Sequence, residues 1–412
     1  MTDLSMSGNG NNLQTGYSSL AFTSIGHFMN DGFTFIFPVI ADVLASLNNY
    51  PAYYLTIMFA AFYTASTVFG LFAGRFSDRG SVLGGLHTGI ILISVGSVGF
   101  SLTLIFSGAS YFVALLSAIV MGMGTGFYHP IGAAILQRSY PKKNLGKALG
   151  INGSMGSIGR ALFPTIFLGL AFFITKGYAL IFLSIAGFAA AIVIWVGLRH
   201  IMGIKSENSA KGQGIKGVVN GSILILTLVF FIKSVSSQGM VAWIPTFLTY
   251  NKGVAVGTTL GIVLTVMYSS AIIGQPLFGI LVDKVDKRLL LAISSLGTAA
   301  AMFAYMNTAG WLEILMLSLF GFFTFSGFPL TMSLISDYAP KGTSSLTNSV
   351  VWGLGNSGGM ILGPVIAGAI ILNDYARISL SFDVLIILSV IVAFASLVLP
   401  KTGKKAKMPM FG

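Results

Sequence analysis

Two stretches of this chain echo one another about 205 residues apart: Gly74-Arg75-Phe76-Ser77-Asp78-Arg79 and Gly279-Ile280-Leu281-Val282-Asp283-Lys284. Each closes a long apolar run and opens a short basic loop. Tyr63 and Tyr268 stand at the same offset upstream. Gly122, Thr125, Pro130 and Pro141 answer to Gly321, Thr324, Pro329 and Pro340 at nearly the same separation, and Gly153, Gly159 and Pro164 to Gly353, Gly359 and Pro364. Phe37-Pro38 pairs with Ile244-Pro245. Separations this steady make one half of the chain a diverged copy of the other. In a membrane, two tandem halves suggest a transporter with its site on the axis between them.

The setting is a membrane. Hydrophobic residues make up 55% of the chain and charged residues 8%, with mean hydropathy +0.87. An ordinary soluble domain carries about 25% charged residues. The apolar runs reach about 20 residues, enough to cross a hydrocarbon core as helix. The alternating strands of an outer-membrane barrel are absent from the pattern. Twelve spans are expected, at roughly 18–46, 53–73, 82–106, 111–137, 145–175, 178–198, 221–250, 257–281, 289–309, 311–336, 344–372 and 379–399. The expected fold class is an all-α membrane protein of 12 transmembrane helices in two pseudo-symmetric six-helix halves.

Residues 1–17 are polar, with no basic segment or small-residue cleavage site, and read as a disordered tail rather than a signal peptide. The first half then covers 18–198 and the second 220–399, joined by a linker at 199–219 and followed by a basic tail at 400–412. Lys205, Glu207, Lys211 and Lys216 among glycines and serines give the linker a flexible character. Cysteine is absent, which excludes disulfides, thiolate metal sites and cysteine nucleophiles.

Of the 23 lysines and arginines, Arg160 and Lys233 fall inside spans, and Lys176, Lys252 and Arg377 in loops on one side. All the others fall on the opposite side, which the positive-inside rule makes cytoplasmic, together with both termini. The formal charge of +12 is therefore mostly topology. Charges scattered over short loops between spans do not form a nucleic-acid patch, so no nucleic-acid partner is expected.

Six spans, a basic linker and six repeated spans resemble the major facilitator superfamily. The Gly-xxx-Asp-Arg/Lys loops after spans 2 and 8 resemble that family's loop signature, with departures. Gly80 follows Arg79 directly and Ser81-Val82 replaces the usual basic pair; the second copy keeps Lys287-Arg288 but lacks the late glycine. Gly26-His27-Phe28-Met29-Asn30-Asp31-Gly32 in span 1 and Gly124-Thr125-Gly126-Phe127-Tyr128-His129-Pro130 in span 4 are similar to the fosmidomycin-resistance branch. The superfamily resemblance implies a central cavity lined by spans 1, 4, 7 and 10. It also implies gating contacts at the inner ends of spans 2 and 8, by Asp78, Arg79, Asp283 and Lys284, against ordinary loop solvation as the plain alternative.

Glycines crowd spans 4, 5 and 11, at Gly122, Gly124, Gly126, Gly153, Gly156, Gly159, Gly353, Gly355, Gly358, Gly359 and Gly363. Close helix packing explains them, since small residues let backbones approach. A phosphate loop would need a preceding strand. Gly363-Pro364 predicts a kink in span 11.

Few ionisable groups lie deep. At 1.5 Å per residue, Asp31, Arg160 and Lys233 all fall roughly 18–20 Å from the cytoplasmic side. Charges at that depth are costly and point to function unless they form a structural ion pair. The repeat sets Gly26 against Lys233, Asp31 against Gln238 and Arg160 against Met360, so each charge occurs in one half only. Symmetric packing does not require that asymmetry; a substrate held between the halves does.

His27 and Asp31 are spaced i, i+4 and share a face of span 1, with Asn30 one turn from His27. His27 either orients Asp31 or transfers its proton. A His-xxx-Asp pair can ligate a metal, but no third ligand has matching placement in the sequence, so no metal is expected. His129 before Pro130 either lines the inner vestibule or donates to a carbonyl that the proline leaves free. Tyr63 and Tyr268 lie near mid-depth and serve either a substrate or plain packing, and Trp243 and Trp352 are weaker candidates of the same kind.

Two midplane cations against one anion favour a small organic anion, gripped by Arg160 as a planar fork and Lys233 as a point charge, with Tyr63, Tyr268, Asn30 and Gln238 around it. An anion that engages the cations lets Asp31 take up a proton, and by linkage a protonated Asp31 strengthens anion binding. The expected activity is proton–anion symport by a monomer in the cell membrane, with no cofactor beyond the proton gradient. The alternative is a proton-driven drug exporter. No nucleophile–base pair supports an enzyme, and no ring of like charges supports a channel.

Overall fold

The computed structural model describes residues 7–78, 82–106, 110–199, 220–340, 347–348 and 350–401, with the side chains of 7–15, 74–78, 82–83 and 142–143 left outside that description. Twelve helical spans are present among the described residues. In the first half they are α1 (Ser7–Asn48), α2 (Ala52–Asp78), α3 (Val82–Ile105), α4 (Tyr111–Ser139), α5 (Lys142–Ile174) and α6 (Lys176–Leu198). In the second half α7 (Gly221–Tyr250), α8 (Thr258–Leu281) and α9 (Lys287–Asn307) are continuous. The tenth span is two helices, α10 (Trp311–Phe325) and α11 (Phe328–Tyr338). The eleventh is a π-helical stretch, Val351–Ser357, running into α12 (Gly358–Ile371), and the twelfth is α13 (Ile378–Leu397).

Three differences from expectation stand out. The first helix begins at Ser7, so residues 7–17 extend it rather than forming a separate tail. The eleventh span opens on a π-helical stretch that the sequence pattern does not announce, ahead of the α12 that contains Pro364. The tenth span breaks at Ser326-Gly327, ahead of Pro329 at the start of α11. A proline has no N–H for the carbonyl four residues back and clashes with it, which here is the Phe325 carbonyl. Gln275 on α8 supplies the missing donor, with Nε2 at 3.4 Å from that carbonyl. The linker at 200–219, Arg79 and the tail at 402–412 lie outside the described residues.

Helix pairing repeats between the halves. In the first, α1 packs on α5, α2 and α3 on α4, and α3 on α6; in the second, α7 packs on α12, α8 and α9 on α10, and α9 on α13. The same carbonyl-to-glycine approaches recur. A Cβ on Gly122 would strike the Phe62 carbonyl, and one on Gly321 the Met267 carbonyl, its repeat counterpart. Gly126, Gly159, Gly359 and Gly363 are likewise closed by carbonyls of neighbouring helices, at Ser66, Phe28, Phe231 and Val235. Lipid tails are as apolar as the side chains, so such close backbone contact is what holds helices together in a bilayer. Gly153 and Gly353 depart from this reading, because open space surrounds both.

The halves meet along α2 with α12 and α5 with α8. The start of α1 and the end of α13 share one face with the inner ends of α2, α4 and α8 and the starts of α3, α5 and α9, here called the basic face. On the opposite face the halves are closed together. Thr249 donates to Asp42 at 2.7 Å, the Tyr375 hydroxyl donates to the Tyr50 carbonyl at 2.6 Å, Phe59 meets Trp243 edge-on, and Thr56 fills the space beside Gly368. Toward the basic face, Gln275 with Ser157 is the last polar contact between halves among the described residues. Gly146, Gly150 and Gly153 on α5 border open space, and the mid-span His129 side chain is 60% exposed. The cavity between the halves therefore opens to the basic face.

At that face the loop before α9 is tied within the second half. Asp286 caps α9 at the Arg288 backbone N–H and pairs with the Arg288 side chain at 2.7 Å, and those hydrogen bonds hold its carboxyl down at about 2. Lys287 pairs with Asp337 at 2.6 Å.

Candidate functional site

Three membrane helices bring one buried carboxylate and its partners together. Asp31 on α1 is 4% exposed. The Arg160 Nη2 of α5 donates to its Oδ2 at 3.1 Å. Its Oδ1 faces Nε2 of His27 at 3.5 Å, Nε2 of His129 on α4 at 3.7 Å, and the Asn30 amide, which donates at 3.2 Å. A charge in the membrane interior is made tolerable by a partner or by a water-filled cavity, and Arg160 is the partner of Asp31.

Hydrogen bonding assigns the His27 tautomer. Asn152 on α5 donates through Nδ2 to the Thr23 hydroxyl, which itself donates to the Ser19 carbonyl. Asn152 Oδ1 is thereby an acceptor, taken by the Tyr128 hydroxyl at 3.0 Å and by His27 Nδ1 at 2.9 Å. His27 Nδ1 carries its proton, so Nε2 is a bare acceptor facing a carboxylate oxygen unless a second proton lies between them. Tyr128 stacks on the imidazole at 4.6 Å between centroids. Gly156 leaves the space that the imidazole fills. His129 meets the His27 ring edge-on at 5.3 Å and stands at the cavity surface, so a chain of groups runs from the carboxylate toward the open side.

Arg160 is held on two aromatic faces, 4.5 Å from the Phe35 centroid and 4.7 Å from that of Phe325. Its Nε is buried without a hydrogen-bond partner among the described residues. Tyr268, fully buried, sets its ring against both phenylalanines, and its hydroxyl too has no hydrogen-bond partner among the described residues. The guanidinium is thus pinned in place with donor capacity to spare.

Lys233 on α7 is half-buried, and its ammonium takes part in no hydrogen bond or ion pair among the described residues, the Ser237 hydroxyl donating only to its backbone carbonyl. A Cβ on Gly327 would lie 3.8 Å from its ammonium. Arg160 packs on Phe325 and Lys233 approaches Gly327, so the break in the tenth span lies between one cation from each half. Gln238 is half-buried further along α7, without a hydrogen bond among the described residues. Tyr63 is buried against Phe62 and makes no hydrogen bond to the Asp31 group among the described residues. Trp243 is a core residue, its indole donating to the Pro364 carbonyl at 3.0 Å, and Trp352 rests against Phe328.

One expectation is corrected. A third ligand does stand beside the His27–Asp31 pair, since donor atoms of His27, Asp31 and His129 lie within 4.8 Å of one another. Sequence separation concealed it, because His129 arrives on another helix. Arg160 already supplies the cation for Asp31, so the group as built fits a shared proton. Arg160 commits its charge to Asp31, while the Lys233 ammonium has no ion pair among the described residues. At the basic face, Asp283 and Lys284 are exposed and join no ion pair among the described residues, while the side chain of Asp78 and all of Arg79 lie outside them. Asn152, Tyr128, Phe35, Phe325 and Gln275 are site residues that sequence reasoning passed over. Only Tyr128 fell within a stretch singled out by its pattern.

The Major Facilitator Superfamily model matches residues 21–351 and again 252–409. The chain is a member of the Major Facilitator Superfamily. Solved structures agree on the fold of this superfamily member. An inward-facing, unoccupied bacterial homologue of the human lysosomal transporter Spinster superposes at TM-score 0.75 with 17% identity, over 94% of this chain and 97% of its own. A D-xylose–proton symporter superposes at 0.73 with 17% identity, over 95% and 99%. A point mutant of the nucleoside transporter NupG does so at 0.71 with 13% identity, over 95% and 100%. The protein is a multi-pass membrane transporter of the secondary type.

Proposed function

We propose that this transporter couples protons to the movement of a small organic anion of carboxylate, phosphate or phosphonate type, in symport. The observation that carries the proposal is Lys233 beside Gly327, its ammonium without an ion pair among the described residues, across the span-10 break from a guanidinium whose charge is already spent on Asp31. An unpaired ammonium in a membrane cavity favours an anionic guest. A carboxylate or phosphate that approaches Arg160 competes with Asp31 for the same fork of donors. Protonation of Asp31 resolves that competition, because a neutral carboxyl no longer holds the guanidinium. Proton and anion then bind together more strongly than either alone, which is the sign required for symport.

His27 supports the proton route. Its Nδ1–H is committed to Asn152, so the proton it can exchange is on Nε2, at the Asp31 oxygen. His129, exposed to the cavity, is the next group outward. The reading extends to a monomer in the cell membrane with the basic face cytoplasmic, where the positive-inside rule puts it. The stretch similar to the fosmidomycin-resistance branch includes His27, Asn30 and Asp31. An exporter of a phosphonate antibiotic would use the same cations with the opposite coupling.

A thermal-shift screen of the purified protein tests the substrate class, because a ligand stabilises the state it binds. Carboxylates, phosphates or phosphonates should raise the midpoint, and Lys233→Ala should abolish the rise. Stabilisation by cationic drugs and by none of the anions would overturn the reading.

A further inference from the structure

Asp42 lies on α1, well above the Asp31 group, where the opposite face is closed. It is fully buried. Oδ2 accepts from the Thr249 hydroxyl of the other half at 2.7 Å, and Oδ1 is buried without a hydrogen-bond partner among the described residues. Thr246, one turn earlier on α7, turns a fully buried hydroxyl of its own toward the same carboxyl. The titratable and charged groups that face Asp42 are Tyr250 of α7, Tyr375 at the start of the twelfth span and Lys176 at the head of α6. No cation forms an ion pair with it among the described residues.

The repeat gives the contact its position. The separation that sets Pro38 against Pro245 also sets Asp42 against Thr249. Two repeat mates that touch lie on the axis relating the halves, so this contact exists only while the halves are together on that face. A carboxylate sealed there without a counter-charge is strongly disfavoured, whereas a neutral carboxyl still accepts from Thr249 and gains an O–H to donate.

We propose that Asp42 is a second proton-binding site, one that holds a proton while the opposite face is closed and releases it when that face opens to water. The ligand is the proton itself, taken from the compartment the opposite face meets. The sign follows from linkage. The closed state binds one more proton than the open one, so raising the pH favours opening, by at most about tenfold in the open-to-closed ratio per pH unit. The inference rests on alternating access by the two halves and not on the anion reading, so either can fail alone.

The cysteine-free chain permits a clean measurement. Leu47→Cys and Asn373→Cys place thiols at exposed positions on the two halves beside the closed seam. Spin labels there report the separation of the halves by pulsed dipolar spectroscopy across a pH series. In the parent, the open fraction should climb with pH at up to about tenfold per unit over part of the range. Asp42→Asn should flatten the profile, and Asp42→Glu should restore a slope. Asp42→Ser, smaller and neutral, replaces the asparagine variant if that one does not fold, with the same flat profile expected. A parent profile without slope overturns the proposal. So does a slope that survives in the neutral variants, and its loss in Asp31→Asn instead would assign the proton to the central site.

Discussion

Asp31 offers one oxygen to a guanidinium and the other to two imidazoles and an amide. Replacing Arg160 with lysine keeps the charge but removes the planar fork and its seat between Phe35 and Phe325. Arg160→Lys should therefore lower transport by about 10- to 100-fold, on the order of 1.4–2.8 kcal/mol, with thermal stability retained. Transport at the parental rate would make Arg160 a structural charge. Asp31→Asn copies the protonated carboxyl in shape and charge. It should keep exchange of labelled for unlabelled anion and lose accumulation driven by a pH gradient, as proteoliposomes with and without the gradient can separate. Gradient-driven uptake in this variant would move the proton to His27 or His129. Asp31, Arg160 and Lys233 were legible in the sequence because a charge at mid-membrane is costly enough to need a reason. Asn152 and Tyr128 were not, since a neutral amide or phenol in a glycine-rich span is unremarkable until its partners are known. Asp42 escaped because depth was the criterion, and it lies near the end of its span although sealed from water.

The helices themselves were mostly legible, and their irregularities were not. All twelve spans follow from length and hydropathy, which is the strongest constraint a bilayer imposes. Pro130 and Pro329 are repeat mates, yet Pro130 sits inside continuous α4 while Pro329 follows a break. The difference lies in what precedes them. Tyr128 and His129 continue the helix before Pro130, whereas Ser326 turns its hydroxyl back to the Phe322 carbonyl and Gly327 has poor helix propensity. Among the crowded glycines, Gly156 has the clearest role at the site, because the His27 ring occupies the volume a methyl would need. Gly156→Ala should cost about 1–3 kcal/mol through overpacking. It should also shift the pH profile of transport, which a merely structural glycine would not do. An unchanged profile, measured beside Tm, would detach His27 from proton transfer.

Across the whole molecule, the halves are locked on one face and parted on the other. Thr56 against Gly368 belongs to the lock. A Thr56→Cys, Gly368→Cys pair, in a chain with no cysteine of its own, should close into a disulfide under oxidation. Turnover should then stop while anion binding from the basic face persists, and reduction should restore turnover. Transport that continues in the crosslinked protein would show that the opposite face does not need to open. The two-half plan was legible from the repeat alone; which face stands open was not, because repeat mates specify the axis and not the tilt about it.

The bare stretch of α5 has one further effect. Gly146, Gly150, Gly153, Ser157 and Arg160 recur at steps of four and three, which aligns them in one stripe along the helix. The first three border open space, and the stripe ends at the guanidinium. A molecule entering from the basic face would thus slide along naked backbone until the first long side chain it meets on that wall is a cation. Such a wall sets no size limit on the way in, so the screening of guests falls to the far end of the track. Gly150→Trp would turn that open approach into a sieve. It should exclude large anions while small ones still arrive, as uptake measured over a ladder of anion sizes would reveal.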